Sequence, residues 1–350
     1  MKANKYGRYT DYIIERVSAL LAIDSPTGYT ENAAEFVIKE FRQLGYKPEK
    51  TAKGGVLVCL GDKGGKDGIL LESHMDTLGG MVSEITDKGR LKISPLGGLN
   101  PNNTEAENVR IITKFDGGYE GTFQLENASI HVNGEYNDTR RSFDAMEVVI
   151  DEPVRSREDV QKLGISVGDI VCFDPRTRVT ESGYIKSRFL DDKLSVGILM
   201  GFAKYIKEEK VSLLRPVYVH VTVYEEVGHG GCASVPDGVT EAVSVDMGCA
   251  GGPMTCTERQ VSVCAKDSGG PYSYEVVKGL IQAAKKGGAD YAVDVYPHYG
   301  SDVEATLQAG YDIRHGLIGA GVYASHGYER SHRDGAENVL KLLVSYLCKG

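Results

Sequence analysis

The chain has 350 residues, 41% hydrophobic and 25% charged, with a formal net charge of -9. That is an ordinary globular composition, enough for two domains or for one large domain carrying an insertion. The negative balance excludes a nucleic-acid surface, because phosphates recruit an excess of Lys and Arg. No run approaches the roughly 18 apolar residues that span a bilayer. Neither nucleic acid nor membrane is therefore an expected partner.

The N-terminal stretch "MKANKYGRYTDYIIERVSALLAI" sets Ile13, Val17, Leu20 and Leu21 at helical spacing, which predicts an amphipathic helix. It lacks the apolar core and small-residue cleavage site of a signal peptide, so the expected compartment is the cytoplasm. Thr30 is positioned to cap a second helix whose Ala34, Val37, Ile38 and Phe41 share one face. "GVLVCLG" and "GILLESH" are short apolar runs bounded by Gly and read as buried strands. The link between them, "GDKGGKDG", lacks the spacing of a Walker loop and reads as a tight Gly-rich turn.

From Thr77 to Ser182 the pattern becomes β-rich. "SIHVN", "AMEVVID" and "GDIVCFD" predict short strands, with one helical stretch near Arg157 to Leu163. After it α/β alternation resumes: a helix around 192–207, strands "PVYVHVTVY" and "EAVSVDM", a helix near 273–286 and a closing helix at 335–348. The expected organisation is one α/β domain formed by 1–76 and 183–350, interrupted by a β-rich insert over 77–182. The seven cysteines are scattered from Cys59 to Cys348, which fits reduced thiols. Cys249, Cys256 and Cys264 lack the CxxC spacing of a structural zinc site and read as small buried residues. The sequons at Asn102, Asn127 and Asn137 indicate loops only.

Chemistry-bearing residues recur at predicted strand ends. "ESHMDTLGG" carries His74 and Asp76. "RFLDDKLSVG" carries Asp191 and Asp192 just before a helix, and "VTVYEEVGHGG" carries Glu225 and Glu226. "AVSVDMG" carries Asp246, and "VYASHGYER" carries His326, with His332 an equal candidate nearby. In an open α/β sheet, ligands gather beyond the carboxyl ends of the strands, so these positions can share one rim. Two histidines and three carboxylates suit a pair of metal ions: one bridging carboxylate, and one His plus one carboxylate on each ion. A further carboxylate is then free to move protons. Each piece has an innocent reading as well. HxD occurs in ordinary loops, Asp-Asp before a helix is favourable N-terminal charge, adjacent glutamates are common on surfaces, and Asp246 could be a cap. It is their joint order that favours a metal site.

That order, HxD, a β insert, LDD, EEVG, VD and a late His, resembles the tetrahedral aminopeptidase family, the glutamyl and deblocking aminopeptidases. "SPTGYT" and "GSDVEA" at 300–305 also resemble stretches of that family. The resemblance implies an α/β/α sandwich with a mixed sheet, interrupted by a barrel-like insert that serves subunit contact and pocket shaping. It implies a cytoplasmic dinuclear metallo-aminopeptidase acting on peptides, with dimers assembling into a tetrahedral dodecamer. Two divalent ions per subunit are implied, zinc first and cobalt or manganese also suited to the donors. By the resemblance, His74 and Asp246 bind one ion, Glu226 and His326 the other, and Asp191 bridges them, with a cis peptide to Asp192. Asp76 accepts the second ring N–H of His74, and Glu225 is the general base.

Thr77, Lys193, His229 and the "ASHGYERSH" context depart from the family pattern near the expected pocket. The nearest rival is a deacylase or amidase of N-acyl amino acids or modified peptides, using the same chemistry. A glycoside hydrolase is poorly served by the neighbouring Glu225 and Glu226, since it needs two carboxyl groups roughly 5–9 Å apart across a sugar. A non-catalytic assembly protein of this fold is the last rival.

Overall fold

The computed structural model describes residues 5–115 and 117–349. They form two compact units, one running through Asp76 and resuming at Arg176, the other Thr77–Pro175. No helix among the described residues is long and apolar enough to cross a membrane.

In the first unit, helices α1 (Gly7–Leu21) and α2 (Glu31–Gln43) precede strands β1 (Glu49–Lys50), β2 (Val56–Cys59) and β3 (Gly68–His74). Thr30 occupies the cap position of α2, but its hydroxyl makes no capping bond. The second unit contributes β4 (Gly79–Ile85), β5 (Leu91–Leu96), β6 (Glu107–Ile112), β7 (Gly118–Leu125), β8 (Met146–Ile150), helix α3 (Arg157–Lys162) and β9 (Ile170–Phe173). The first unit then resumes with β10 (Arg178–Val179), β11 (Tyr184–Ser187), α4 (Leu190–Glu209), β12 (Val217–Thr222), β13 (Val239–Ala250) and β14 (Val261–Lys266). It closes with α5 (Tyr274–Gly287), β15 (Tyr291–Val295), α6 (Asp302–Gln308), β16 (Arg314–Tyr323), β17 (Glu329–His332) and α7 (Arg333–Leu347).

The large sheet is mixed and follows the order β1-β2-β12-β3-β13-β16-β17-β11-β10, with β14 on β16 and β15 on β14. Its centre is parallel: β3 lies between β12 and β13, and β16 continues alongside β13. Every residue of β3 and of β12 is buried. That is why Ile69, Leu70 and Leu71 of β3 follow one another without an apolar–polar alternation. Successive side chains of β3 point to opposite faces. Glu72 accepts from Thr306 of α6, while Ser73 donates to Asp192 at the head of α4. Helices α6 and α4 therefore cover opposite faces of the sheet, an α/β/α sandwich. Helix α4 is the hub of its layer, packing against α1 and α7. Its Gly197 and Gly201 permit the close approach, since a Cβ at either would lie 2.3 Å from Val17 or Ile13 of α1.

The second unit is a closed antiparallel barrel in the order β4-β5-β8-β7-β6-β9. The sequence reading identified only β8 and β9 of these strands, and it also expected one at "SIHVN" that does not form. Residues 129–133 fold as turns closed by Val132 N–H and Asn133 N–H on the Ser129 carbonyl. Ile130 and Val132 stay exposed, at 61% and 76%, so the β-branched side chains found no partner strand. Residues 176–182, expected within the insert, belong to the first unit, because β10 pairs with β11 in the large sheet.

Candidate metal centre

His74 ends β3, its side chain 1% exposed. Its Nε2 lies 3.2 Å from Asp191 Oδ1 and 3.6 Å from Glu225 Oε2. On the other side of the ring, Nδ1 sits 3.0 Å from the backbone oxygen of Asp76, with that residue's carboxylate at 3.6 Å. At those distances the carbonyl takes the ring N–H. The Asp76 carboxylate is committed elsewhere. It accepts from the Thr27 hydroxyl at 2.7 Å and from the backbone N–H groups of Glu225 and Glu226 at 3.2 and 3.4 Å. "SPTGYT" thereby anchors the Asp76 side chain, and Asp76 in turn fixes the turn that carries both glutamates.

Asp191 and Asp192 are joined by a cis peptide and open α4 with non-helical angles. Asp192 is fully buried and receives the Ser73 hydroxyl at 2.6 Å, turned away from Asp191 and toward β3. Glu225 and Glu226 lie in a single helical turn just after β12. Asp246 lies within β13, which continues to Ala250, rather than at the strand's end; one of its oxygens accepts from Met247 N–H at 2.6 Å. His326 follows β16 on a turn, with Nε2 at 3.6 Å from Glu226 and 3.7 Å from Asp191. Phe189, Tyr224 and His326 all have left-handed φ angles of 60° to 69°, unusual for side chains of this size. The chain bends sharply at three of the segments that bring the site together.

The result is two groups of three. Ligand atoms of His74, Asp191 and Asp246 lie within 4.8 Å of one another, as do those of Asp191, Glu226 and His326, and Asp191 is common to both. Their electrostatics suit cations. Burial, reinforced by neighbouring carboxylates, pushes Glu225 and Glu226 well above the usual carboxylate range. The same causes push Asp246 up to about 7. In Asp191, burial is outweighed by the hydrogen bond and charge of His74, which hold it below its usual value. Buried carboxylates that repel one another around two imidazoles are relieved by divalent ions, and nitrogen and carboxylate oxygen are donors that zinc, cobalt or manganese accepts. The residues present therefore fit a metal pair.

Other candidates lie elsewhere. His332 donates from Nε2 to the Ser182 carbonyl at 2.8 Å and accepts Asp334 N–H on Nδ1, capping α7. His229 stacks on Tyr224, 5.1 Å between ring centres. Lys193 points away from the glutamates and donates to the carbonyls of Leu20 and Ile23 at the end of α1. One residue the sequence reading missed is Glu329, buried on β17. It accepts Asp191 N–H at 3.1 Å and His326 N–H at 3.0 Å and so ties two candidate ligands together. Its only sequence signal was its place three residues after His326. The "GSDVEA" stretch is explained too: Asp302 accepts from Gly231 N–H at 2.6 Å and from Thr222, seating the loop that follows the glutamates. The centre opens into a cavity of about 790 Å³.

The M42 glutamyl aminopeptidase family model matches residues 54–342. The chain is 40% identical over 334 residues to YhfE of Bacillus subtilis (strain 168), covering 95% of this chain and 96% of that one; the aminopeptidase name of YhfE is itself provisional. It is 26% identical over 186 residues to a lysyl aminopeptidase of Pyrococcus furiosus, covering 53% and 51% of the two chains. The fold is similar to that of the Pyrococcus horikoshii TET1 peptidase, a structure in which tetrahedral and octahedral assemblies are described, with a TM-score of 0.83 at 23% identity over 95% of this chain and 98% of that one. With most of its length matched by the family and a fold to suit, the chain belongs to the M42 glutamyl aminopeptidases, a family of metallopeptidases, and is a peptidase hydrolase.

Proposed function

We propose that the protein is a dinuclear aminopeptidase that removes N-terminal residues from peptides. The observation that carries this reading is the pair of three-residue groups sharing Asp191, with Glu225 beside them. His74 and Asp246 would hold one ion, Glu226 and His326 the other, and Asp191 both; zinc suits these donors best. When bound, the ions supply Lewis acidity, polarising the scissile carbonyl and making a water acidic enough to act as nucleophile near neutral pH.

The chain's own residues do the rest. Asp76 holds Glu225 by its backbone N–H, which leaves the Glu225 side chain free to face the cavity. A Glu225 carboxylate oxygen takes the proton from the attacking water and returns it to the leaving amine. In the metal-free protein, burial, reinforced by Asp246 and other nearby carboxylates, raises the proton affinity of Glu225. The Asp76 carbonyl fixes the His74 ring, leaving Nε2 as its donor.

The reading extends to a homo-oligomer, in keeping with the TET1 assemblies, with the barrel unit serving subunit contact, and to a cytoplasmic protein. Glu225→Gln is the direct test. We expect turnover of aminoacyl and peptide substrates to fall by roughly 10³-fold or more while bound metal is unchanged. Retained turnover would remove Glu225 from its role. A panel pairing free-amine peptides with their N-acylated forms separates aminopeptidase from deacylase action.

A further inference from the structure

The loop between β15 and α6 brings to the candidate centre a residue that the proposed mechanism does not use. Tyr299 lines the same cavity as Asp191, Asp246 and Met247. It directly precedes the "GSDVEA" stretch, yet neither its type nor its spacing marks it in the sequence. Its hydroxyl donates to the Met247 carbonyl at 3.2 Å and lies within hydrogen-bond reach of the Asp246 carboxylate. A phenol keeps its proton at neutral pH, so it meets a carboxylate as a donor.

Both the backbone and the ring of Tyr299 are held. Its N–H donates to Ser268 Oγ at 3.0 Å, and its carbonyl accepts Ser268 N–H at 3.1 Å. The ring packs edge-on against Tyr296, with 5.1 Å between ring centres. Tyr296 is itself buried and donates to Ser262 Oγ at 2.6 Å. The Tyr299 hydroxyl is thus delivered to Asp246 with little freedom left to lose. The other candidate ligands already have their supports. The His74 ring rests on the Asp76 carbonyl, the backbone N–H groups of Asp191 and His326 end on Glu329, and that of Glu226 ends on Asp76. For Asp246, Oδ1 accepts Met247 N–H at 2.6 Å, and Ser195 donates to the backbone oxygen at 2.7 Å. Those bonds fix the strand and one oxygen. A carboxylate torsion is broad, so the group still turns about that single bond unless a second donor holds it. Tyr299 stands where that donor is needed.

We propose that Tyr299 is a positioning residue: its hydroxyl donates to the Asp246 carboxylate and so fixes the oxygen that faces the ion of the His74–Asp246 half. The proposal rests on the metal-pair reading and adds to it a residue outside the ligand set. A ligating carboxylate that is itself hydrogen-bonded presents its donor oxygen in one direction, and the loss of such a partner lowers metal affinity at that site alone.

The test measures zinc uptake by the metal-stripped full-length protein in competition with a chromogenic chelator. Tyr299→Phe removes one oxygen and keeps the ring, so the packing against Tyr296 survives. One zinc step should weaken by about 10–100-fold while the other stays as in the wild type. The unaffected step should be the one that His326→Ala abolishes. Tyr296→Phe is the control, since it removes a hydroxyl from the same cluster that bonds Ser262 rather than Asp246, and both steps should then be unchanged. With cobalt in place of zinc, the visible absorption should change in Tyr299→Phe and not in Tyr296→Phe. Unchanged zinc affinities in Tyr299→Phe overturn the proposal; a fall in kcat alone would place the hydroxyl on the reacting substrate instead. An equal loss at both steps, a loss at the His326 step, or the same loss in Tyr296→Phe overturns it as well. A wild type that takes up fewer than two zinc ions fails the metal-pair reading itself, a result visible before any variant is made, and this inference falls with it.

Discussion

His74 and His326 occupy opposite halves of one centre, and their surroundings differ sharply. His74 ends a fully buried strand, its ring N–H on a backbone carbonyl and its side chain 1% exposed. His326 sits on a left-handed turn with its side chain 40% exposed, and its backbone is tied by Glu329. Asp191 lies near both histidines, at 3.2 and 3.7 Å. A ligand fixed by a strand and a backbone acceptor loses little freedom when it binds, whereas a ligand on an exposed turn must be ordered at that moment. The account therefore expects unequal sites: the His74–Asp246 half binds its ion more tightly, and the Glu226–His326 half releases first.

The most severe way to test that contrast is to remove what the halves share. Asp191→Asn should weaken both sites and lower kcat/KM by roughly 10³-fold or more, measured as turnover alongside metal content by mass spectrometry. If one site keeps full affinity, Asp191 is not common to both. Next come the two histidines compared directly. His74→Ala should leave the protein with neither site well formed, while His326→Ala should retain one tightly held ion per chain in equilibrium dialysis. The reverse pattern would overturn the inequality.

A finer probe is Glu329→Gln, which replaces a carboxylate that accepts two backbone N–H groups. It should weaken the His326 half by about 10–100-fold with little effect on the other, read from biphasic metal titrations. The smallest expected effect is that of Thr27→Val. It removes one hydrogen bond to Asp76 and should cost about 1 kcal/mol in urea unfolding while both metal affinities stay close to wild type.

The same contrast explains what could be read from the chain beforehand. The sheet centre was legible because β3 and β12 are buried on both faces and rich in Val, Ile and Leu, although Glu72, Ser73, His74, His220 and Thr222 interrupt the apolar residues. The barrel was not. Its strands β4 to β7 carry Gly, Pro, Lys and Glu among the apolar residues, and their register is set by closure rather than by composition. "SIHVN" has the composition of a strand but no partner to pair with, and pairing is a tertiary fact. At the site, the residue types and their order announced metal chemistry. Which oxygen of Asp76 faces His74 depends on a backbone bend that side-chain identity does not encode. Glu329 was invisible for a related reason, since a buried carboxylate serving two backbone N–H groups looks in sequence like any exposed glutamate. Lys193 misled in the opposite direction: its neighbours suggested the pocket, but helical geometry sends its side chain toward the end of α1.

The most direct measurement is a calorimetric titration of metal-stripped protein with zinc. The account predicts two ions per chain at distinct affinities, with the weaker step weakened a further ~10–100-fold in Glu329→Gln and the stronger unchanged. A single site, or two that respond equally to that substitution, would contradict it.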